Sequence, residues 1–425
     1  MSMVHDAPQF RRVVSRWQIV GLSLNDVIGS GVYLLPAAAA ALLGPWSIWA
    51  VLLAGLAVLL LVLCFAEASS HFDQPGSAYL YARTAFGDFA GLEVGWMTWL
   101  ARVASVASLS VGLAQALSYL WPSVESGAPR ALAITVPLLV LTGINVAGAR
   151  SGVGAAMFLL ASKLLPLLLF VAFGLFAATR GQVLAQPAGD GNLTRAALLL
   201  LFAYAGFENT PAAAGEYRNP RRDVPFALLV NIAVVTLLYV AVQWVALGTL
   251  PNLGQSATPL ADSAGIFLGT WAGLLLTVGA ALSILGTNSN TVFAGPRYLY
   301  ALARDGFGPA FLARIHPRFR TPANAVVFQT AIALPLALSG TFVALAELSV
   351  VARLATYLGA AAAVPVLRRK FATTESTIRL PGGPLIPIAA ALLTIGLATS
   401  ATASNLIAAC AALAVGVVFY LLRRR

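Results

Sequence analysis

Twelve long apolar runs decide what this chain can become. They lie at approximately 17–42, 46–70, 92–121, 130–147, 151–179, 194–215, 225–249, 269–300, 323–340, 342–367, 384–403 and 405–422. Each is near the ~20 residues that a helix needs to cross a bilayer. Continuous runs of that length are not the alternating strands of a membrane barrel. Of 425 residues, 59% are hydrophobic and 10% charged, whereas a soluble domain carries roughly a quarter charged residues. The expected class is an all-α polytopic membrane protein with about twelve transmembrane helices and no separate soluble domain.

Basic residues orient the runs. With the N-terminus inside, the inner segments hold Arg11, Arg12, Arg16, Arg83, Arg150, Arg218, Arg221, Arg222, Arg297, Arg304, Arg314, Arg318, Arg320, Arg368, Arg369, Lys370, Arg379 and Arg423–Arg425. The outer segments hold only Arg130, Arg180 and Arg195. This bias places both termini in the cytoplasm and the chain in the inner (plasma) membrane. It also accounts for the net charge of +11 without a nucleic-acid partner, since the inner arginines meet anionic lipid headgroups. Residues 1–16 are polar and basic, with no apolar core or cleavage site, and read as a cytoplasmic segment rather than a signal peptide. Cys64 and Cys410 both fall in apolar runs and indicate neither a disulfide framework nor a metal site.

Two runs should break in the middle. In the first, LNDVIGSGVYLLP at 24–36, Gly29, Ser30 and Gly31 are poor helix formers in succession. A break at membrane depth exposes unpaired N–H and C=O groups, tolerated only where they line a cavity. The sixth run crowds Gly206, Asn209, Thr210 and Pro211 mid-span, then resumes as Ala212–Gly215. Interruptions at corresponding places in two halves point to an inverted-repeat transporter. The parity fits, because an odd number of helices per half inverts the second copy. The segment 251–267 is expected as an outer loop with a short helix, and 303–321 as a basic inner loop.

Depth from the nearest inner arginine, at 1.5 Å per helical residue, groups several polar residues. Gly29 and Lys163 each lie about 20 Å in, Ser283 about 21 Å, and Glu208 at least about 15 Å. Lys163 is one of two lysines against 24 arginines. A buried lysine can release its proton and arginine cannot, so Lys163 reads as a reversible cation between helices one and eight. Glu208 reads as a proton carrier or substrate-amine contact, with satisfaction by backbone amides or an ion pair as the structural alternative. Asp26 stands one turn before Gly29, and an Asp26–Arg102 pair is expected. Glu347 and Arg353 read as structural or gating contacts. Trp96 and Trp99 read as core; Phe202 and Tyr204 are placed to cover a ligand, with Phe202 as gate.

The segments VIGSGVYLLP, PGSAYLYARTAFGDFAG, FAYAGFE with AGEYRNPRRDVP, and FAGPRYLYALARDGFGP occur in an order and spacing that resembles the amino acid–polyamine–organocation transporter family over nearly the whole chain. The resemblance implies a five-plus-five inverted repeat with broken helices 1 and 6, plus two C-terminal helices. The corresponding domains are 1–16, 17–179 and 194–367 for the two repeats, and 384–422 for the additional pair. It further implies that the amides of Gly29, Ser30 and Gly31 receive a substrate carboxylate, as a helix end favours an anion. Carbonyls near Ile28, Phe202, Ala203 and Ala205 would take the ammonium group. Lys163 matches the lysine that replaces sodium in some members, with Ser283 as its helix-eight partner or Thr287 one turn on. Glu208 matches an acidic position of certain exchangers. Asp26 departs from the family's usually uncharged residues there, and is kept among the coupling candidates.

The expected function is secondary active transport of L-amino acids by alternating access, proton-coupled and sodium-independent. The alternatives are an obligate amino acid/amine exchanger and a non-transporting membrane sensor. An enzyme is not expected: a nucleophile with its base, or a metal cluster, is required, and His5, His71 and His316 all fall in inner loops. No cofactor is expected. The expected partners are a small amino acid or amine, protons and membrane lipids.

Overall fold

The computed structural model describes residues 12–74, 76–148, 153–189, 191–372 and 377–422. Arg11, Arg150, Arg423–Arg425, His5 and most of the 1–16 segment lie outside the described residues. The chain is an all-α polytopic membrane protein. Its helices are α1 (Arg16–Val27), α2 (Gly31–Leu43), α3 (Ser47–Ser70), α4 (Ser77–Phe86), α5 (Asp88–Leu117), α6 (Gly127–Val146), α7 (Val153–Ala177) and the short α8 (Arg180–Leu184). They continue as α9 (Leu193–Tyr204), α10 (Pro220–Thr249), α11 (Pro259–Leu268), α12 (Thr270–Arg304), α13 (Ala323–Ser339), α14 (Phe342–Lys370), α15 (Leu385–Ala398) and α16 (Ala403–Leu421). Among the described residues, eight helical stretches are long and apolar enough to cross a membrane, and three further apolar helices are shorter. One stretch, Gly31–Ser70, holds the second half of the first expected span and the whole of the second, joined by a single 3-10 turn at Gly44–Trp46. The expected helix between 251 and 267 is α11.

Helix α4 follows from no apolar run. It is a ten-residue segment with charged Arg83 on one side and buried Ala78, Tyr81, Ala82 and Ala85 on the other. Such a short two-faced helix escapes a search for spans.

Helix α5 is the most central element. It packs on α4, α6, α12, α13, α14 and α16. Its buried face is rich in small residues, among them Ala101, Ala104, Ser105, Ala107, Ser108 and Gly112. In lipid no hydrophobic force drives helices together, so close packing of small residues and interhelical hydroxyl bonds take that part. The α5–α14 seam has both. Thr98 and Thr356 share a bond of 2.8 Å, Ser105 and Ser349 another of 2.8 Å, and Ser108 donates to the Phe342 carbonyl at 3.0 Å. Each such bond is worth about 0.6 kcal/mol.

Both expected breaks are present. α1 ends at Val27, with Ile28 in an extended conformation, and α2 restarts at Gly31. α9 ends at Tyr204; Ala205 is extended, Gly206 has φ +128°, and a 3-10 helix runs over Phe207–Glu216. The second break therefore sits at Ala205–Gly206, earlier than the expected Gly206–Pro211. Gly206 adopts the backbone conformation that side chains disfavour. Pro211 is accommodated inside the 3-10 segment that follows. The segment leading into α1 and the end of the 3-10 helix are also joined by backbone: Val13 and Val14 donate to the Glu216 carbonyl at 3.0 and 3.1 Å, and Arg218 returns a bond to the Val14 carbonyl at 3.1 Å.

Candidate functional site

The two breaks face one cavity. Its wall holds Asp26, Val27, Gly29, Ser30 and Gly31 from the first break, and Phe202, Ala205, Gly206 and Asn209 from the second. α5 adds Arg102, Ser105 and Leu109; α12 adds Thr287, Asn290 and Thr291; α14 adds Arg353.

At the first break the backbone groups separate by type. Among the described residues, the amides of Gly29, Ser30, Gly31 and Val32 find no acceptor, and the first bonds of α2 run from Tyr33 and Leu34 to the Ser30 carbonyl. Free N–H groups at a helix N-terminus form an anion site. Among the described residues, the buried Ser30 hydroxyl has no partner. Gly31 lets the two broken helices touch, since a Cβ there would stand 2.5 Å from Ala203 Cα.

The carbonyls of the same break face the other way. Lys163 Nζ donates to Asn25 O at 2.9 Å and Ile28 O at 2.7 Å, and Lys163 is fully buried. Ser283 Oγ donates to Ile28 O at 3.1 Å and Gly29 O at 3.4 Å. Thr287 Oγ1 lies 3.5 Å from Lys163 Nζ. Tyr33 OH donates to the Lys163 carbonyl at 2.9 Å and ties α2 to α7. Lys163, Ser283 and Thr287, separated widely in sequence, thus surround the unwound end of α1. The Ile28 carbonyl already receives two donors.

At the second break, Phe202 O accepts from Ala205 N at 3.2 Å and Ala203 O from Tyr239 OH at 2.9 Å. Among the described residues, the Tyr204 and Ala205 carbonyls have no donor. Phe202 packs edge-on against Phe342 at 5.9 Å. Glu208 does not line the cavity. Its carboxylate accepts from Gly206 N at 2.9 Å and forms an ion pair with Arg353, both side chains being buried. Ser77, at the start of α4 with φ +49°, donates to the Glu208 carbonyl at 2.6 Å. A serine in that conformation is strained, and the bond to the break offsets the strain.

The expected Asp26–Arg102 ion pair is not formed among the described residues. Arg102 donates to Asn209 Oδ1 and stacks over the Tyr298 ring at 5.2 Å. Asp26 instead accepts from Asn290 Nδ2. Both residues line the cavity, but Asn290 of α12 and Asn209 after the second break take their hydrogen bonds. Glu347 pairs with Arg195 at 3.8 Å, away from Arg353. Trp99 is buried, as expected, against Trp96.

Asn209, Asn290, Thr291 and Ser105 are site residues that sequence reading did not assign. A signal existed for two of them. Ser283, Thr287 and Asn290 or Thr291 recur at three- and four-residue steps, one polar stripe on an apolar helix. Among the described residues, no group of three or more His, Cys, Asp or Glu side chains is arranged to hold a metal.

Comparison with known proteins bears on the whole chain. The family model described as amino acid permease matches residues 14–420. A methylthioribose transporter of Bacillus subtilis is 28% identical over 89% of this chain and 86% of its own length. The branched-chain amino acid permease BcaP of the same organism is 27% identical over 89% and 85%. Its serine/threonine exchanger SteT is 30% identical over 87% and 86%.

Proposed function

Because the chain belongs to the amino acid permease family, we propose that it is a secondary active transporter of L-amino acids, proton-coupled, sodium-independent and working by alternating access. In this reading the free amides of Gly29, Ser30 and Gly31 hold the substrate carboxylate. The carbonyls of the second break, those of Tyr204 and Ala205 foremost, take the ammonium group. Phe202 closes over the ligand.

The observation that carries the coupling is Lys163. Its ammonium lies on two backbone carbonyls at the unwound end of α1, those of Asn25 and Ile28, and Ser283 shares the Ile28 oxygen. A cation held by carbonyls and a hydroxyl is the environment that would suit a bound sodium ion, and here the protein supplies the charge itself. Loss of the Lys163 proton would remove the charge that strengthens its two carbonyl bonds and loosen α1 against α7 and α12. Ser283 and Thr287 then act on the same switch, and Asp26, held by Asn290, is the nearest acid on the cavity wall.

The two breaks fit a five-plus-five inverted repeat, 17–179 and 194–367, with 384–422 as an added pair. The arginine bias supports cytoplasmic termini in the plasma membrane, with anionic lipid at the inner surface. Uptake of a radiolabelled amino acid into proteoliposomes tests the coupling. An inward proton gradient should stimulate uptake without sodium, and Lys163→Ala should remove that stimulation. Uptake that requires sodium and is indifferent to Lys163→Ala refutes it. The exchanger reading draws on the serine/threonine exchanger among the relatives; it requires flux only when the opposite side is loaded, whatever the proton gradient.

A further inference from the structure

Building on the reading of the cavity as an amino acid site, we propose that its substrate is an L-amino acid with a second, side-chain carboxylate, and that Arg102 binds that group. Arg102 is 2% exposed and forms part of the cavity wall. Its guanidinium offers five N–H donors in a rigid fork. One goes to Asn209 Oδ1, a neutral acceptor, and the flat face covers Tyr298. The buried Nε has no acceptor. Among the described residues no carboxylate lies within ion-pair distance of Arg102, whereas Arg353 on the same wall is neutralised by Glu208.

Arginine keeps its proton in any protein environment. Asp26 interacts with the Arg102 charge without bonding to it; among the described residues no acceptor engages Nε, and a ligand carboxylate would supply one. Asp26 is the acid nearest to this duty. Its carboxylate is occupied by Asn290, and the Asn209 amide that holds Arg102 also interacts with it. Asp26 is thus bonded to amides, and among the described residues the Arg102 fork keeps an open donor at Nε. The main-chain carboxylate and the side-chain carboxylate would have separate receivers, the amides of the first break and the Arg102 fork. An aliphatic side chain would leave the guanidinium buried and unpaired, and a basic one would be repelled. A carboxamide supplies an acceptor oxygen without the charge.

The test uses the full-length protein in proteoliposomes, with radiolabelled L-glutamate as probe and unlabelled L-glutamine, L-norvaline and L-arginine as competitors. A charge-assisted bond to Arg102 predicts that glutamate binds about 10-fold or more tighter than glutamine and norvaline. Arg102→Gln should erase that preference and Arg102→Lys should restore part of it, with the thermal unfolding of each variant as the folding control. Norvaline or glutamine binding as tightly as glutamate to the wild type overturns the acidic substrate while leaving the amino acid reading intact. An undiminished glutamate preference in folded Arg102→Gln overturns the assignment of Arg102. If no amino acid binds, both readings fall. Should Arg102→Gln not fold, the wild-type competition decides.

Discussion

Three consecutive small residues at the first break offer a graded test of backbone capture. In Gly31→Ala the new methyl would stand 2.5 Å from Ala203 Cα and 2.6 Å from Ala203 Cβ. Carbon atoms prefer about 3.5–4.0 Å, so α2 and α9 must separate by roughly 1 Å. Overpacking of this kind costs about 1–3 kcal/mol, and here it moves both broken helices. In Gly29→Ala the nearest atoms belong to the Thr287 side chain at 3.3 Å, which can yield by a few tenths of an ångström. The loss of unfolded-chain freedom returns about 0.4–1 kcal/mol, so the net change is near zero. Ser30→Ala removes a buried hydroxyl that has no partner among the described residues, and is neutral or mildly stabilising. Thermal unfolding of the purified protein and binding of the labelled substrate should be measured on all three. Gly31→Ala should melt several degrees lower and lose uptake, Gly29→Ala should stay close to wild type, and Ser30→Ala should retain both properties. Gly29→Leu, which cannot fit beside Thr287, should be far worse than Ser30→Ala. A folded Ser30→Ala that loses tenfold or more in affinity would show that the hydroxyl, and not the amides, holds the ligand.

Two other predictions concern stability. Arg353→Met leaves the Glu208 carboxylate buried with neutral partners, the Gly206 amide and the Tyr357 hydroxyl, and breaking such a pair costs about 3–5 kcal/mol. The double variant Glu208→Gln/Arg353→Met should recover much of this in a double-mutant cycle of melting temperatures, and a single-variant cost below about 1 kcal/mol would contradict a buried pair. His71, in the turn after α3 and stacked on Phe371 at 5.6 Å, is lowered from its ordinary 6.5 by burial, against Glu67, which raises it, and with Arg221 and Arg368, which lower it. The unfolded chain then binds a proton that the folded chain refuses, so this contribution is full above about pH 6.5 and is lost as pH falls from there toward the folded-state value. His71→Gln should flatten the melting temperature between pH 7.5 and 5.5 relative to wild type; an unchanged slope excludes His71 as its source.

What could be read in the chain divides along physical lines. Runs of apolar residues show a multi-span helical membrane protein, because a bilayer imposes length directly; among the described residues eight helical stretches are long and apolar enough to cross, where twelve are expected from the runs. The first break was legible because glycine and serine interrupt helix locally. The second was placed late, because Pro211 draws attention while Gly206 alone carries the positive φ. Lys163 stood out because lysine is so scarce here, and its meeting with Ile28 and Ser283 followed from depth. Depth along a helix says nothing about rotation around it, which is why Arg102 and Asp26 were paired with each other and not with Asn209 and Asn290. The Glu208–Arg353 pair joins residues on different helices, a contact that only the packing of α14 beside the second break creates.

The short backbone bridge between Val14 and Tyr217 has a mechanical meaning. It yokes the start of α1 to the end of the 3-10 segment by main-chain bonds, and the Arg16–Asp223 pair at 2.7 Å adds a side-chain rivet nearby. The two segments are therefore tied: a tilt of one loads the other, like two leaves on one hinge pin. Because the pin is made of peptide groups, it resists most side-chain replacements and is weakened directly only by one that removes a backbone N–H, such as proline at Val14 or Arg218.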